Sequence, residues 1–535
     1  MKRLSYILMA FTMLLGLAQC KKDQPQSGEK VYITVKVNNG ASTGSATDGA
    51  KADVDPADGK ITFSNGDKLY VGYNGAKVDG ELTYSTATSS FSGDLTISKS
   101  GDQKLYFYFL GGNLTPTIAG STYTVDISDQ TGSTKPIISS GASEENYNGT
   151  GTYHVTLLNQ CALVKVTVSG DVTATPTEIV VDYSSVTVDF SSNTVTPVAG
   201  EGKIKLAAGT GDRWAIVLPQ GAHAAESRKV EGTNVINVTQ PAMAAVAANG
   251  SGVYAVTVTD LYFTVSAGGD KVYFSKGNLQ YIGSAATPYW KFADHQWETW
   301  SRNYEHAQFS DATNVDRDLF GWGTSGYNHG ATCYQPWSTS TTPGDYNAYN
   351  NSTSNLYNSS GQADWGYNPI SNGGNIENSW RTPTYSEWYY LIPATYDPHL
   401  CRPDAEKKIG YAHVGDILGT VLLPDNWTLP SGLTFNTGTC YTDSGSPLYY
   451  IAPNSYTTEQ WNLMEANGAV FLPIVYYSRS GTNTYGLEIC EYWSSSYYET
   501  YNNCAYIFYG SPSTPQGWNY ENKKLGISVR LVRNR

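Results

Sequence analysis

Hydrophobic and polar residues alternate along much of the first half of the chain. Val31, Ile33 and Val35 fall on one face of an extended segment, and Tyr32 and Thr34 fall on the other. This period of two residues predicts a half-buried β-strand. Further short strands, most of them bounded by Gly, Asn or Asp, are predicted at residues 60–63, 68–73, 81–84, 90–97, 104–110 and 122–127. Their regular spacing is typical of a β-sandwich.

A second group of short strands begins just after residues 149–151. These strands are predicted at residues 153–158, 163–168, 178–183, 186–190, 203–206, 213–218 and 253–258. Neither group contains a helical pattern of useful length. We therefore expect two packed β-sandwiches, residues 31–150 and residues 151–260.

The pattern changes after residue 260, where a third module at residues 265–535 is expected. Trp214 is the only one of the 13 tryptophans that precedes Trp290. Thr384 with Glu387 three residues later forms the signature of a capping box, which predicts a short helix at that point. A second helix is predicted at residues 457–466.

Several strands are also predicted in this third module. Residues 272–281 form a strand and turn with residues 290–293 as a hairpin partner. Residues 469–477 form a strand, and Pro473 places it at a sheet edge or a bulge because proline cannot donate to the ladder. The segments 505–509 and 525–532 are expected to form the closing hairpin.

Three short segments of this module resemble one family. They are residues 380–388, 492–496 and 526–532, and their shared motif consists of Trp380, Arg381, Pro383, Glu387, Trp388, Trp493 and Arg530. In this order they resemble the major paralogous domain of surface proteins from Bacteroidetes and Fibrobacter. The resemblance implies a C-type-lectin-like α+β fold, in which a helix after the arginine and proline turn packs on sheets closed by the last strand.

The first half of the chain resembles the fimbrillin-like family of Bacteroidetes. The resemblance rests on residues 61–71, on residues 91–95 and on the order of the preceding segments. It implies a mainly β chain with two tandem transthyretin-like sandwiches that build or anchor pili. It also implies partner pilus subunits bound by strand exchange after a protease, often specific for arginine, removes the first strand. The chain has no arginine between Arg3 and Arg213, and Lys51 is an alternative cleavage site.

The N-terminus has the pattern of an export signal. Lys2 and Arg3 precede a short apolar run at residues 4–17, and Cys20 follows closely. This predicts a signal peptide at residues 1–19. Cys20 resembles the lipidated cysteine of bacterial lipoproteins, which implies a lipidated tether at residues 20–30 and a surface-exposed place on the cell outer membrane. An ordinary cleaved signal peptide is the alternative.

The charge and the cysteine spacing of the chain exclude some classes of partner and of binding site. The net charge of -13 excludes a nucleic acid partner, because phosphate binding requires clustered Lys and Arg. No two of the remaining six cysteines have the Cys-x-x-Cys spacing of a metal or redox site. Cys490 and Cys504 form either a disulfide or two buried thiols.

One segment has the oxygen-rich pattern of a cation site. Asp311, Asn314, Asp316 and Asp318 alternate in a way that suits Ca²⁺. The glycine and the final glutamate of an EF-hand loop are absent, so that type of loop is excluded. Carboxylates that cap ordinary turns are the alternative, and no other cofactor is expected.

Loop aromatics are candidates for contact with a ligand. The candidates for stacking on a sugar ring are Trp337, Tyr346, Tyr349, Tyr357, Trp365 and Tyr367. Tyr497, Tyr498 and Tyr501 are similar, although they could instead face a neighbouring strand. Trp380, Trp388 and Trp493 are expected to fill the core.

The sequence shows no signature of catalysis. Phosphate-binding loops, zinc-binding helices and nucleophile elbows are all absent. The turn at Arg381 is also similar to that of formylglycine-generating enzymes, but the downstream Gly-Asn-Val-Trp-Glu-Trp pattern of those enzymes is missing. We expect no enzymatic activity. The expected function is that of a pilus accessory, tip or anchor subunit whose C-terminal module adheres to a host protein or glycan, with a stand-alone glycan-binding protein as the alternative.

Overall fold

The computed structural model describes residues 28–38, 53–54, 61–111, 116–132, 136–170, 175–198, 200, 202–248, 251–300, 312–346, 354–357, 362–392, 401–437, 453–474, 477–479, 483–485, 490–511 and 514–535. The protein is mainly β, as expected from the alternating pattern. Cys20, Tyr349 and Asp311 lie outside the described residues, as do the predicted signal peptide and Lys51.

In the first 260 residues, the described part of the chain contains β-strands and no helix. They are β1 (Glu29–Val37), β2 (Asp53–Val54), β3 (Ile61–Thr62), β4 (Lys68–Tyr73), β5 (Ala76–Lys77), β6 (Asp79–Gly80), β7 (Leu82–Ser85), β8 (Ser90–Ile97), β9 (Lys104–Leu110), β10 (Thr117–Ala119), β11 (Thr122–Asp126), β12 (Asp129–Gln130), β13 (Ile138–Asn146), β14 (Gly151–Val155), β15 (Leu158–Asn159), β16 (Ala162–Gly170), β17 (Thr177–Val181), β18 (Ser185–Asp189), β19 (Thr194–Pro197), β20 (Gly202–Leu206), β21 (Gly211–Val217), β22 (Glu226–Glu231), β23 (Val235–Gln240) and β24 (Ser251–Asp260).

Residues from 261 onward contain strands and two α-helices in the described part. The elements are β25 (Phe263–Thr264), β26 (Lys271–Phe274), β27 (Leu279–Ile282), β28 (Tyr289–Phe292), α1 (Tyr385–Leu391), β29 (Ile409–Val414), β30 (Ile417–Leu422), β31 (Asn454–Tyr456), α2 (Thr458–Ala466), β32 (Val470–Pro473), β33 (Tyr477–Arg479), β34 (Asn483–Tyr485), β35 (Cys490–Tyr497), β36 (Cys504–Ser511), β37 (Thr514–Asn522) and β38 (Val532–Asn534). Single 3₁₀ turns occur at Thr332–Tyr334, Pro343–Tyr346, Trp365–Tyr367 and Ala405–Lys407. The structure describes no helix long and apolar enough to cross a membrane.

Seven strands of the first module form a closed sheet. Their order is β1, β14, β13, β9, β4, β7 and β8, and β8 pairs again with β1. The first strand runs parallel to β14, with Ile33 beside Gly151, and antiparallel to β8, with Ile33 beside Gly93. Val31, Ile33 and Val35 are buried, which confirms the face predicted from their alternation. The first strand is therefore hydrogen-bonded along both edges.

Strand pairing in this region crosses residue 150. Strand β14 lies in the closed sheet of the first module, β11 pairs with β18, and β12 pairs with β20. Tyr123 of β11 packs against Phe190 with ring centroids 5.1 Å apart. The predicted division at residue 150 therefore does not coincide with a boundary between sheets. Alternation identifies strands, but it carries no information about which distant strands pair.

The second module is a sandwich of two sheets. A five-stranded sheet has the order β21, β16, β24, β23 and β22, and a three-stranded sheet has the order β12, β20 and β17. Their facing side chains form one core that includes Val164, Val166, Ile179, Ile204 and Val256. Strand β24 ends at Asp260, and β25 begins three residues later in a different sheet with β26 and β38.

The last residues of the chain join the second module to the third. Arg535 Nε donates to the buried Asp260 carboxylate at 2.7 Å, and Tyr273 Oη donates to its other oxygen at 2.7 Å. Asn234 Nδ2 donates to Tyr273 Oη at 2.8 Å, and Arg533 donates to the Thr233 carbonyl at 3.2 Å. These contacts hold the end of β24 against the C-terminal module.

The two helices begin as predicted. Thr384 and Glu387 form a complete capping box at the start of α1, and Thr457 with Gln460 forms another at the start of α2. Gly468 follows α2 with φ of +90°, a conformation in which a side chain would be strained. Both helix predictions are confirmed, as is the edge position of Pro473 on β32.

The predicted closing hairpin is wrong. Strand β36 pairs with β35 and β37, while the terminal β38 pairs with β26. Residues 525–532 are buried, and this burial produces the apolar pattern that resembled a hairpin strand. Cys490 and Cys504 are free thiols because they lie near opposite ends of the paired strands, where Cys490 faces Gly510 and Ala505 faces Tyr497.

Candidate functional site

The turn at Arg381 ties the first helix to the chain terminus. The Arg381 guanidinium binds the Glu387 carboxylate through two bonds of 2.7 and 2.6 Å. Glu387 also accepts from the Thr384 amide at 2.7 Å. The Arg381 backbone exchanges bonds of 2.8 Å with Val532 of β38. Arg381 and Glu387 therefore have structural partners already.

A buried carboxylate holds this turn from the other side. Asp364 accepts from the Gly366 amide at 2.9 Å, and from the Thr382 amide at 3.0 Å and hydroxyl at 3.1 Å. Burial raises the pKa of Asp364, because water no longer stabilises its charge. A Cβ added at Gly366 would lie 1.9 Å from the Trp380 carbonyl oxygen, so only glycine fits here.

The motif tryptophans are core residues. Trp388 and Trp493 are buried, and Trp380 is 8% exposed. Trp493 Nε1 donates to the Phe320 carbonyl at 2.7 Å, and the Pro383 carbonyl accepts from the Ser495 amide at 2.9 Å. These residues build the fold on which any binding surface rests.

Of the six loop aromatics predicted from sequence, the five that the structure describes do not form one surface, and Tyr349 lies outside the described residues. Tyr346 and Trp365 are 0% exposed and belong to the core, so neither offers a free ring face. Trp337 is half-buried beside Tyr281, at a ring distance of 6.2 Å. Tyr357 is 42% exposed, and Tyr367 is half-buried and stacks on Tyr327 at 5.6 Å.

The described carboxylates of the predicted cation segment accept hydrogen bonds from distant backbone amides. Asp316 accepts from the Ser284 amide at 2.9 Å, and Asp318 accepts from the Trp300 amide at 2.7 Å. Asn314 is exposed. Within the described ranges, no group of three or more His, Cys, Asp or Glu residues could hold a metal ion. Asp316 and Asp318 therefore already have hydrogen-bond partners, and the cation site remains a prediction.

A different set of aromatics forms one continuous surface. We define the tyrosine surface as Tyr385, Tyr389, Tyr498, Tyr501, Tyr506 and Tyr520. Helix α1 supplies the first two residues, and the sheet of β35, β36 and β37 with the loop after β35 supplies the rest. Tyr506 and Tyr520 are direct partners across β36 and β37.

The rings of the tyrosine surface stack in pairs. Tyr498 lies on Tyr520 with centroids 4.1 Å apart and an angle of 6°, and Tyr385 lies on Tyr506 at 4.0 Å and 19°. Tyr498 meets Tyr506 edge to face at 5.0 Å, which joins the two pairs. Tyr501 lies 5.5 Å from Tyr520 and remains 50% exposed. Tyr501 therefore presents the most accessible ring of the surface.

Acidic groups border this surface. Tyr506 Oη donates to the exposed Glu499 carboxylate at 3.3 Å. Burial raises the pKa of Tyr506, and the nearby Glu499 charge raises it further. Tyr506 therefore contributes a hydroxyl group that hydrogen-bonds a carboxylate at the edge of the surface.

Lys523 lies beneath the surface and points inward. Its side chain is fully buried, and Nζ donates to the Asn502 carbonyl at 2.9 Å and lies 4.6 Å from the centre of the Trp322 ring. Burial lowers the pKa of Lys523 to about 8. Its charge is therefore not available to a ligand at the surface.

The lowered pKa of Lys523 predicts a change in stability with pH. Between about pH 8 and the ordinary lysine value of 10.5, the unfolded chain binds more protons at this residue than the folded chain. Folding should therefore become more favourable as the pH rises through this range. Relative to Lys523→Met, the wild type should gain about 1 to 2 kcal/mol between pH 8 and pH 9.5. Urea unfolding at both pH values measures this difference, and parallel curves would contradict it.

Sequence patterns showed only part of this surface. Tyr498 and Tyr501 were candidates, but Tyr385, Tyr389, Tyr506 and Tyr520 were not. A local signal existed for one pair, since Tyr385 and Tyr389 are four residues apart and so share a helix face. No local signal connects that helix to strands more than 100 residues later.

Comparisons with known proteins give a limited result. No family model matches the chain, and no curated protein matches it. A candidate cell adhesion protein of Bacteroides uniformis is similar, with 14% identity and a TM-score of 0.26, covering 44% of this chain and 98% of that one. A fimbrial anchor protein of Porphyromonas gingivalis has 9% identity and a TM-score of 0.20, covering 40% and 77%. Candidate polysaccharide binding proteins of Bacteroides thetaiotaomicron have 12% identity and a TM-score of 0.22, covering 39% and 76%. Scores of this size assign no function to the chain.

Proposed function

We propose that this chain is a cell-surface adhesion protein whose C-terminal module binds a carbohydrate chain through the tyrosine surface. The observation that carries the proposal is the ring contact among six tyrosines from one helix, one sheet and the loop after β35, five of which are at least partly exposed while Tyr506 is buried. Exposed tyrosine rings pack against the C–H groups of sugars, and their hydroxyl groups bind sugar hydroxyls. Mutual stacking holds the rings in place, so little side-chain freedom is lost on binding.

The charge of the surface favours a neutral carbohydrate. Glu499 is exposed at its edge, while the cation of Lys523 is buried below. A polysaccharide with uronic acid or sulfate groups would be repelled by the negative charge of Glu499. Lys523 is buried and cannot offset this repulsion. We therefore expect neutral polysaccharides to bind more tightly than acidic ones.

We further propose that the protein is a pilus accessory, tip or anchor subunit on the outer membrane, attached through a lipid on Cys20. The position of β1 supports this part of the proposal. The strand pairs with β14 on one edge and β8 on the other, and it places Val31, Ile33 and Val35 in the core. Its release would leave two open strand edges and an apolar groove, which a strand from a pilus subunit could fill.

A stand-alone glycan-binding protein is the second candidate. The tyrosine surface favours it as much as the pilus role, because binding at that surface requires no second subunit. The two candidates differ in their partners. A pilus subunit must associate with pili, whereas a stand-alone protein binds the polysaccharide without them.

The proposed carbohydrate binding is tested with the mature full-length chain. Neutral and acidic polysaccharides are immobilised, and affinities are measured for the wild type and for Tyr501→Ala and Tyr498→Ala. Each substitution should weaken binding about tenfold or more, because a stacking ring contributes at least about 1.4 kcal/mol at a binding hot spot. Tyr289→Ala is the matched control, since Tyr289 is 42% exposed and lies outside the tyrosine surface. Equal affinity for all four proteins would contradict the proposed site.

The proposed pilus role is tested on pili isolated from the native cell. The chain should co-purify with pili, and immunogold labelling should place it at one end. A uniform distribution over the cell envelope without association with pili would contradict the pilus role and favour the stand-alone alternative.

A further inference from the structure

Three buried polar side chains of the second module have hydrogen-bond partners in the C-terminal module. Asp260, at the end of β24, is 0% exposed, and Asn234 and Asn237 are 6% and 3% exposed. A buried polar group that lacks a partner costs free energy, and a buried carboxylate costs the most. The partners of these three side chains therefore decide how far the second module depends on the C-terminal module.

The carboxylate of Asp260 is bound through both of its oxygens. Tyr273 Oη of β26 donates to Oδ1 at 2.7 Å, and Arg535 Nε donates to Oδ2 at 2.7 Å. The Arg535 amide donates to the Lys271 carbonyl at 3.0 Å, which fixes the backbone that carries the guanidinium. Both carboxylate oxygens are therefore occupied by groups of the C-terminal module.

The two asparagines extend this contact. Asn234 Nδ2 donates at 2.8 Å to Tyr273 Oη, the same hydroxyl group that binds Asp260. Asn237 Nδ2 donates at 2.8 Å to the carbonyl of Ala466, the last residue of α2. The last carbonyls of a helix have no partner within the helix, so this bond satisfies one of them. Each module thus supplies hydrogen-bond partners that the other requires.

Apolar side chains of both modules pack at the same junction. Val235, Leu261 and Tyr273 form one buried cluster. A Cβ added at Gly468, just after α2, would lie 3.0 Å from Leu261 Cδ2, so the end of the helix fits closely against the segment that connects the modules. The junction therefore combines buried hydrogen bonds with a close apolar contact, as a single core does.

Two arginines at the end of the chain reach back to the second module. Arg533 of β38 donates to the carbonyls of Gly232 and Thr233, which lie in the turn between β22 and β23. Arg535 follows β38 and binds Asp260 at the end of β24. One short strand therefore holds two separate places on the second module.

We propose that Arg533 and Arg535 form a strap that joins the second module and the C-terminal module into one cooperative unit, with the buried Asp260 carboxylate as its main anchor. Without the strap, Asp260 would keep the Tyr273 hydroxyl but lose its cation, and a buried carboxylate that loses its cation is strongly destabilising. The strap thereby holds the tyrosine surface in one orientation relative to the β-sandwich. The inference concerns the joining of two parts of the chain, so it stands whether or not the tyrosine surface binds a polysaccharide.

Native-state hydrogen exchange of the full-length protein tests the strap. In the wild type, peptides from β23 and β24 should open with the same dependence on denaturant as peptides from β26 and β29, because one unit opens as a whole. In Arg535→Ala, exchange in β24 and β26 should become about tenfold faster or more. Asp260→Asn should have a similar effect, and the double variant should exchange little faster than either single variant, because the two residues form one pair.

Lys407→Ala is the matched control. Lys407 Nζ binds the Asp404 carboxylate at 2.9 Å, but both side chains are exposed and both lie within the C-terminal module. Its exchange in β24 and β26 should equal that of the wild type. Arg535 follows the last strand, so Arg535→Ala should fold even if Asp260→Asn does not. Equal exchange in Arg535→Ala and the wild type, or separate opening of the two modules in the wild type, would overturn the proposal.

Discussion

Replacing Trp493 with alanine should destabilise the C-terminal module by about 3 to 5 kcal/mol, the usual cost of removing a buried tryptophan. Trp493 is 0% exposed and belongs to the cluster that contains Phe320, Trp365 and Ile527. Its Nε1 donates to the Phe320 carbonyl, which would lose a buried partner. Urea unfolding followed by tryptophan fluorescence measures the change.

Trp337→Ala is the control for this experiment. Trp337 is half-buried at the edge of the same cluster, so its loss should cost clearly less. Equal losses of stability for the two variants would show that Trp493 is not the centre of the core. Near-ultraviolet circular dichroism identifies any variant that fails to fold.

Replacing Asp364 with alanine should cost about 3 kcal/mol, because buried donors would lose their acceptor. The carboxylate accepts from the amides of Gly366 and Thr382 and from the Thr382 hydroxyl. These bonds join the turn at Trp365–Tyr367 to the turn that precedes α1. Denaturant unfolding of the full-length chain measures the loss.

Asp364→Asn separates the role of hydrogen bonding from that of charge. The amide keeps one acceptor oxygen but places a donor against the Thr382 amide, so the loss should fall between zero and that of Asp364→Ala. Since burial raises the pKa of Asp364, removing the charge also removes a desolvation cost. If Asp364→Ala were as stable as the wild type, the carboxylate would not hold the two turns together.

Local spacing predicted those parts of the fold that depend on neighbouring residues. The two capping boxes depend on residues three positions apart, and both helices begin where their spacing indicates. The inward face of β1 follows from alternation of Val31, Ile33 and Val35. Strand pairing depends on residues far apart in the chain, so the pairs of β14 with β1 and of β11 with β18 could not be predicted.

The candidate site also could be predicted only in part, because it depends on residues that are far apart in the chain. Composition marked the third module as rich in aromatics, but it could not separate the core residues Tyr346 and Trp365 from the half-exposed Tyr501. Burial depends on what packs against a ring, and that is decided by elements elsewhere in the chain. The free thiols of Cys490 and Cys504 follow in the same way from the register of β35 on β36.

The sequence by itself determined a mainly β chain, the starts of its two helices and its acidic balance, because each of these depends on composition or on residues a few positions apart. Only the tertiary structure decided that β1 closes a sheet between β8 and β14 and that six tyrosines come into ring contact. These features join segments separated by tens to hundreds of residues. Their contacts exist only once the sheets have paired and packed.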